Sequence, residues 1–238
     1  MSVIRGLAWG LAGVFVVATV LQLADQLNLF FQPPSLPESS NLVDRVLGSI
    51  DYRHNVWPIF FGGHLLIGLG FMIMSGLGLA LAARMDDGDD RKAILTGSFV
   101  TAALLGSAGE LILIGSVKAS IDIPYCDCGF KEQEIVSQVW ALMVTQGASD
   151  WLVNGALVLA AIGVALAGTV FGGRPMSRWW TWLSGTISAV LLLLLIIGFA
   201  DLSEDLGTAL THLLTGILIP IWSIWLGLGF ASGRPAES

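Results

Sequence analysis

The chain has 238 residues, of which 55% are hydrophobic and 12% are charged, and its formal net charge is −7. Soluble domains usually carry about twice that share of charged residues, so most of this chain is predicted to lie in lipid rather than in water. The negative charge argues against a nucleic-acid partner, because the phosphate backbone binds basic surfaces.

Six apolar segments are long enough, or nearly so, to cross a bilayer, which requires roughly 20 mostly apolar residues. They cover residues 7–24, 57–83, 93–117, 151–171, 179–200 and 206–231. All six are predicted to be α-helices, because lipid offers no partners to free backbone N–H and C=O groups. We therefore expect one all-α domain over residues 1–238, a polytopic membrane helix bundle whose first partner is the lipid bilayer.

Lysine and arginine predict the orientation, since they are enriched in cytoplasmic segments. With the N-terminus inside, the inner segments contain Arg5, Arg84, Arg91, Lys92, Arg174, Arg178 and Arg234. The longer outer loops contain Arg45, Arg53, Lys118 and Lys131. Both termini are therefore predicted to be cytoplasmic, in a bacterial-type inner membrane. No small-x-small cleavage site follows the first apolar run, so we expect it to be an uncleaved span.

Two long loops, residues 28–56 and 118–150, are predicted on the outer side. Within them, residues 39–50 and 132–146 have apolar side chains at helical spacing, which is typical of short amphipathic helices lying on the membrane surface. Gly147 is expected to end the second of these helices. The two helices either cover the bundle or form a lid over a site.

Ionisable residues inside membrane spans are costly and need a reason. His64, Glu110 and His212 lie on three different spans, each roughly 10 Å below the outer surface at 1.5 Å per residue. The polar residues at or just above this level are Gln22, Asp25, Asp150 and Asn154. We expect His64, Glu110 and His212 to converge, because Gly106 and Gly109 allow a neighbouring helix to approach Glu110 closely.

Four interpretations of this polar layer stay open. The first is a structural hydrogen-bonded cluster, and the second is a pocket in which Glu110 binds a small ligand or a coupling proton. The third is a b-type haem site with His64 and His212 as axial ligands. The fourth is a metal site formed by the two histidines and Glu110, although no HExxH spacing supports a metal. No cofactor or metal is favoured. A functional pocket should open outward beneath residues 39–50 and 132–146.

Cys126 and Cys128 are the two cysteines of the chain, and they form Cys-Asp-Cys in the second outer loop. The outer compartment is predicted to be oxidising. The two cysteines form a tight local disulfide, or are two loop thiols, or serve as a redox-active dithiol or as half of a metal site. Nucleotide-binding and hydrolase motifs such as GxGxxG, the P-loop and GxSxG do not occur. Nothing nominates a nucleophile, and an enzyme is not favoured.

The C-terminal half contains a predicted amphipathic helix ending near Gly147, a Gly/Ala-rich span, and the basic turn GGRPMSRWW at residues 172–180. A Leu-rich span and the sequence PIWSIWLG at residues 220–227 follow. This series resembles the DUF4386-like family of uncharacterised bacterial membrane proteins. The resemblance implies a membrane fold of six or seven helices with no established activity and no catalytic residues.

Together these patterns predict an integral membrane protein that binds or transports a small ligand, or couples to protons, through the polar layer. One alternative is a non-catalytic structural subunit of a larger membrane complex, in which other membrane subunits would be partners. The other alternative is a haem-binding redox subunit.

Overall fold

The computed structural model describes residues 3–31, 42–86, 88–123, 131–173, 176–200 and 203–230. The helices are α1 (Val3–Gln26), α2 (Leu42–Ala82), α3 (Asp90–Asp122), α4 (Glu132–Phe171), α5 (Arg178–Ala200), α6 (Glu204–Leu213) and α7 (Ile219–Gly229). A π-helical turn, Leu214–Leu218, joins α6 directly to α7. The described part of the chain contains no β-strand beyond one isolated bridge between Gly172 and Met176.

Among the described residues, six helical units are long and apolar enough to cross a membrane: α1 to α5 and the unit formed by α6, the π-helical turn and α7, here called the last span. Large apolar side chains such as Val20, Leu104, Leu111 and Ile196 are exposed on the outside of the bundle. An apolar exterior is stable in lipid and unstable in water. The protein is therefore an integral membrane protein, and the expected all-α polytopic bundle is confirmed.

Each span runs antiparallel to the one before it, and the last span packs against α1, so the six spans form a closed ring. Close contacts at glycines hold several of the neighbours together. A Cβ atom at Gly70 would lie 2.8 Å from the Phe15 ring of α1, and one at Gly78 would lie 2.5 Å from Phe99 of α3. Small residues of this kind let the backbones approach and increase van der Waals contact, which drives helix association in lipid.

The amphipathic segments do not form separate surface helices. The first becomes the N-terminal part of α2 from Leu42 onward, and the second begins α4 at Glu132. The prediction that Gly147 ends a helix is wrong, because a glycine inside a helix costs only about 1 kcal/mol and the flanking residues are good helix formers. The described polar loops are correspondingly shorter than residues 28–56 and 118–150, since α2 and α4 begin within them and α3 extends to Asp122.

Proline explains the irregular geometry of the last span. Pro220 has no N–H and its ring clashes with the carbonyl of residue 216, so a regular α-helix cannot pass through it without distortion. The chain forms the π-helical turn just before Pro220, and the N–H of Ile219 bonds to the carbonyl of Leu214. The sequence predicts a kink at Pro220, and the structure shows the distortion as this π-helical turn.

The sequence predicts Trp180, near the start of α5, to be an aromatic anchor exposed at the membrane surface. Its side chain is fully buried, whereas the neighbouring Trp179 is exposed. Trp180 stacks on Trp222 of α7 with ring centroids 5.3 Å apart. The indole N–H of Trp222 donates to Ser184 Oγ at 2.8 Å, which satisfies the polar atom of this buried ring.

Candidate functional site: a central cavity with a His–Glu pair

The most polar contact inside the bundle joins α2 to α3. His64 Nδ1 lies 2.7 Å from Glu110 Oε2, and Glu110 is only 6% exposed. When the carboxyl group is ionised, the ring N–H donates to it. A carboxylate at this depth is costly without a donor, and the histidine supplies one.

The backbones around this pair are held close by small residues. A Cβ atom at Gly106 would lie 2.6 Å from the Phe71 ring of α2, so only glycine fits there. One turn before Glu110, the Ser107 hydroxyl donates to the carbonyl of Gly68 at 3.0 Å. Gly106 therefore lets α2 approach with His64, as the sequence predicts. Gly109 serves the other neighbour, because its Cβ would lie 2.8 Å from Val153 of α4.

His64 and Glu110 face a central cavity of about 660 Å³ that is lined by residues of all six spans. Ligand sites typically enclose 300–1,000 Å³. The hydrophilic lining residues are Gln22, Asp25, Gln26, His64, Glu110, Asn154, Ser203, Thr208, Thr211, His212 and Thr215. Most of them lie toward the end of the bundle where α1 ends and α6 begins, which we call the polar end.

Six of the seven residues predicted to bind a ligand line this cavity: Gln22, Asp25, His64, Glu110, Asn154 and His212. The seventh, Asp150, is exposed one turn before Asn154 and is not among the described lining residues. Cys126 and Cys128 lie outside the described residues. The sequence therefore predicts six of the residues that line the cavity, whereas Asp150 faces away from its described lining.

The expected convergence on Glu110 is complete for His64 and partial for His212. His64 contacts Glu110 directly, whereas His212 shares the cavity but has no hydrogen bond to either within the described chain. The described residues include no group of three His, Cys, Asp or Glu side chains placed to hold a metal ion, so these three do not form the metal site considered from the sequence. The haem site stays a prediction, and its iron would need Nε2 of His64 because Nδ1 is engaged.

A second cavity of about 400 Å³ adjoins the first at the polar end. Asp25 and Phe60 line both cavities. The second also includes Ser49 and Gln146, which belong to the two amphipathic segments beneath which an opening is predicted. Asp25 Oδ1 and Gln146 Nε2 are buried there without a hydrogen-bond partner in the described chain. Buried polar atoms of this kind are rare and await a partner such as water or a ligand.

A row of aromatic side chains lies beside the His64–Glu110 pair, and the sequence analysis does not predict it. Phe60 packs on the His64 ring with centroids 4.3 Å apart, and Trp57 stacks on Phe60 at 5.9 Å. The ammonium group of Lys118 lies 5.9 Å from the Trp57 ring. The spacing of Trp57, Phe60 and His64 by three and four residues places them on one helix face, which is the signal that could have revealed the row.

Comparison with known proteins gives no match, either to a family model, to a curated protein or to a solved structure. The resemblance to the DUF4386-like family stays a prediction. The function must therefore be inferred from the cavity itself.

Proposed function

We propose that this protein binds a small ligand in its central cavity and transports it across the membrane with a proton carried by the His64–Glu110 pair. The observation that carries the proposal is the position of the pair, in the wall of a cavity of about 660 Å³ that reaches all six spans. Transporters commonly place their substrate and coupling-ion sites within the membrane in this way.

A purely structural role for the pair is less well supported. A structural cluster would be closed and fully bonded, because a bundle gains nothing from leaving polar atoms unpaired in its interior. Here the pair borders a large cavity, and Asp25 Oδ1 at the same end has no partner among the described residues. These features favour a site that is completed by a ligand.

Proton coupling follows from the chemistry of the two groups. A carboxyl and an imidazole in hydrogen-bond contact share one proton whose position depends on the charge beside them. A ligand that enters the cavity changes that charge, and protonation of Glu110 in turn changes what the cavity binds. Chains of such groups form the proton relays of membrane pumps and transporters.

We also propose that the polar end faces the outside of a bacterial-type inner membrane, with both termini in the cytoplasm. The support is the distribution of Lys and Arg, with seven basic residues in the segments predicted to be inside and four in the segments predicted to be outside. The second cavity then forms the outward approach to the central one.

The proposal is tested with fractionated extracts of membrane and cytoplasm from the host, added to purified protein while its melting temperature is measured. A ligand present at 100 times its Kd stabilises the folded state by about 2.7 kcal/mol, which is readily detected. We expect one fraction to stabilise the wild type and Asp150→Asn, but not Leu157→Trp, which fills the cavity. Stabilisation of all three to the same extent, or of none, would contradict the proposal.

A further inference from the structure

The central cavity has two chemically different ends. Along α1 it extends from Asp25 to Leu11, fourteen positions apart, which corresponds to roughly 21 Å of helix. The polar groups lie mostly near Asp25. The opposite end is lined by apolar side chains that include Phe15, Met74 and Ile187, and Trp222 with its stacked partner Trp180 lies there.

The charges of the lining are of one sign. Asp25 and Glu110 contribute carboxyl groups, and no lysine or arginine occurs among the described lining residues. The two histidines, His64 and His212, are the remaining titratable groups in the wall, and His64 is engaged with Glu110. Arg53 lines the adjoining cavity together with Asp25 and attracts its carboxylate, but within the described chain it donates no hydrogen bond to Asp25 Oδ1. Lys118 is paired with Asp122. A positively charged group with N–H donors is therefore the complement of the polar end.

Asp25 sets the most specific requirement on the ligand, a hydrogen-bond donor. Its Oδ1 atom is buried and has no hydrogen-bond donor within the described chain. A buried acceptor left unpaired costs about 1–3 kcal/mol, which a donor on the ligand recovers. An alcohol can satisfy one acceptor, but only a cation also compensates the carboxylate charge in a low-dielectric site.

The ring of spans suggests how such a ligand enters. α5 packs less closely against the last span than against α4, and residues of both, including Leu194, Ile197 and Thr208, line the cavity. This seam faces lipid in a membrane. A molecule with an apolar body is already concentrated in the bilayer, so lateral entrance through the seam suits an amphiphile better than a fully polar solute.

We infer that the ligand is an amphiphilic amine, whose ammonium head binds between Asp25 and Glu110 and whose apolar body extends toward Trp222. This inference rests on the proposed function and names the class of molecule that the same cavity takes. The aromatic ring of Phe60, shared by both cavities, stands beside the head group and adds cation–π attraction.

Three probes of equal chain length test the inference: 12-bromododecylamine, 12-bromododecanol and 12-bromododecanoate. Bromine quenches nearby tryptophan fluorescence, so a bound tail reports on Trp222. The protein is used in nanodiscs, and Trp222→Phe gives the quenching of the other tryptophans by probe dissolved in lipid. We expect saturable quenching that depends on Trp222. The amine should bind at least about tenfold more tightly than the carboxylate, and the affinity of the alcohol should lie between the two.

Variants identify the head-group site. Asp25→Asn should weaken amine binding about tenfold and leave alcohol binding nearly unchanged, because it removes the charge and keeps the shape. Asp150→Asn, on the exposed surface near the same end, should change neither. Asp25 lies next to the last residue of α1 and is half-buried, so this variant should fold even if Glu110→Gln does not.

Each other outcome overturns the inference in a recognisable way. Equal or tighter binding of the alcohol or carboxylate would show that the cavity takes amphiphiles of another class, and the proposed function would stand. Absence of Trp222-dependent quenching by any probe would exclude amphiphiles. The proposed function would then fall only if the extract experiment also gave no stabilisation that Leu157→Trp abolishes.

Discussion

His64 and Glu110 come from different helices and meet at 2.7 Å in the wall of a cavity that a ligand could fill. The contact makes the fold and the proposed function depend on the same two side chains. The free energy of unfolding and the ligand affinity of variants of the pair must therefore be measured separately.

Removal of the histidine should destabilise the protein more than neutralisation of the glutamate. His64→Ala leaves a buried carboxylate without its donor, and loss of one partner from a buried pair costs about 3–5 kcal/mol. Glu110→Gln keeps an acceptor for the ring and should cost less than about 2 kcal/mol. Unfolding in mixed micelles measures both free energies, with Asp150→Asn as the control for loss of an exposed charge. Equal costs for the two variants would show that the carboxylate does not depend on His64.

Two glycines of α3 provide a matched test of how closely α2 and α3 pack. Gly106→Ala should destabilise by about 1–3 kcal/mol, because the new methyl group would lie 2.6 Å from the Phe71 ring. Gly115→Ala should be neutral or stabilising by up to about 1 kcal/mol, since nothing beyond its own stretch of helix backbone lies within 4 Å of its Cβ position. Thermal unfolding of the two glycine variants measures both changes in stability. A similar effect at the two positions would mean that Gly106 is not needed for the approach of α2.

The predicted orientation is tested with reporter fusions at four positions. Fusions after Met85 and after Ser177 should report the cytoplasm, whereas fusions near Glu38 and Cys126 should report the outside, because basic residues are concentrated at the former. Alkaline phosphatase reports the outside and green fluorescent protein reports the cytoplasm, so each reporter checks the other. An external signal at Met85 would place the polar end, and with it the second cavity, on the cytoplasmic side.

Cys126 and Cys128 should be oxidised to each other in intact cells, since their loop is predicted to face an oxidising compartment. A membrane-impermeant maleimide should then label the protein only after reduction. Cys126→Ser/Cys128→Ser serves as the unlabelled control. Labelling before reduction would refute the disulfide, and absence of labelling after reduction would contradict the predicted exposure of this loop.

Depth along a helix could be read from the sequence, but direction around it could not. The rise of 1.5 Å per residue was enough to place His64, Glu110 and His212 at one level. The side on which a residue lies depends on which neighbours each helix meets. The sequence therefore predicts Asp150 in the site although its side chain is exposed, and Trp180 as a surface anchor although its side chain is buried.

Helix ends were a second source of error, for a related reason. The sequence predicts a helix end at Gly147, yet this residue lies inside the continuous helix α4. The local cost of the glycine is about 1 kcal/mol, and the surrounding span can offset it by packing and by satisfying its backbone groups in lipid. No local pattern reports that compensation. At Pro220 the sequence predicts a distortion of the last span but not its form, the π-helical turn.

That π-helical turn changes the phase of the last span. A π-turn accommodates one more residue than an α-turn, so it is equivalent to a single-residue insertion, and each residue of an α-helix accounts for a rotation of about 100°. His212 precedes the turn and Trp222 follows it, and both face the cavity. Deletion of Ile217, whose side chain is exposed, would remove the added residue and rotate α6 relative to α7. The extra residue thus sets the angular register between the polar and apolar ends of the cavity wall.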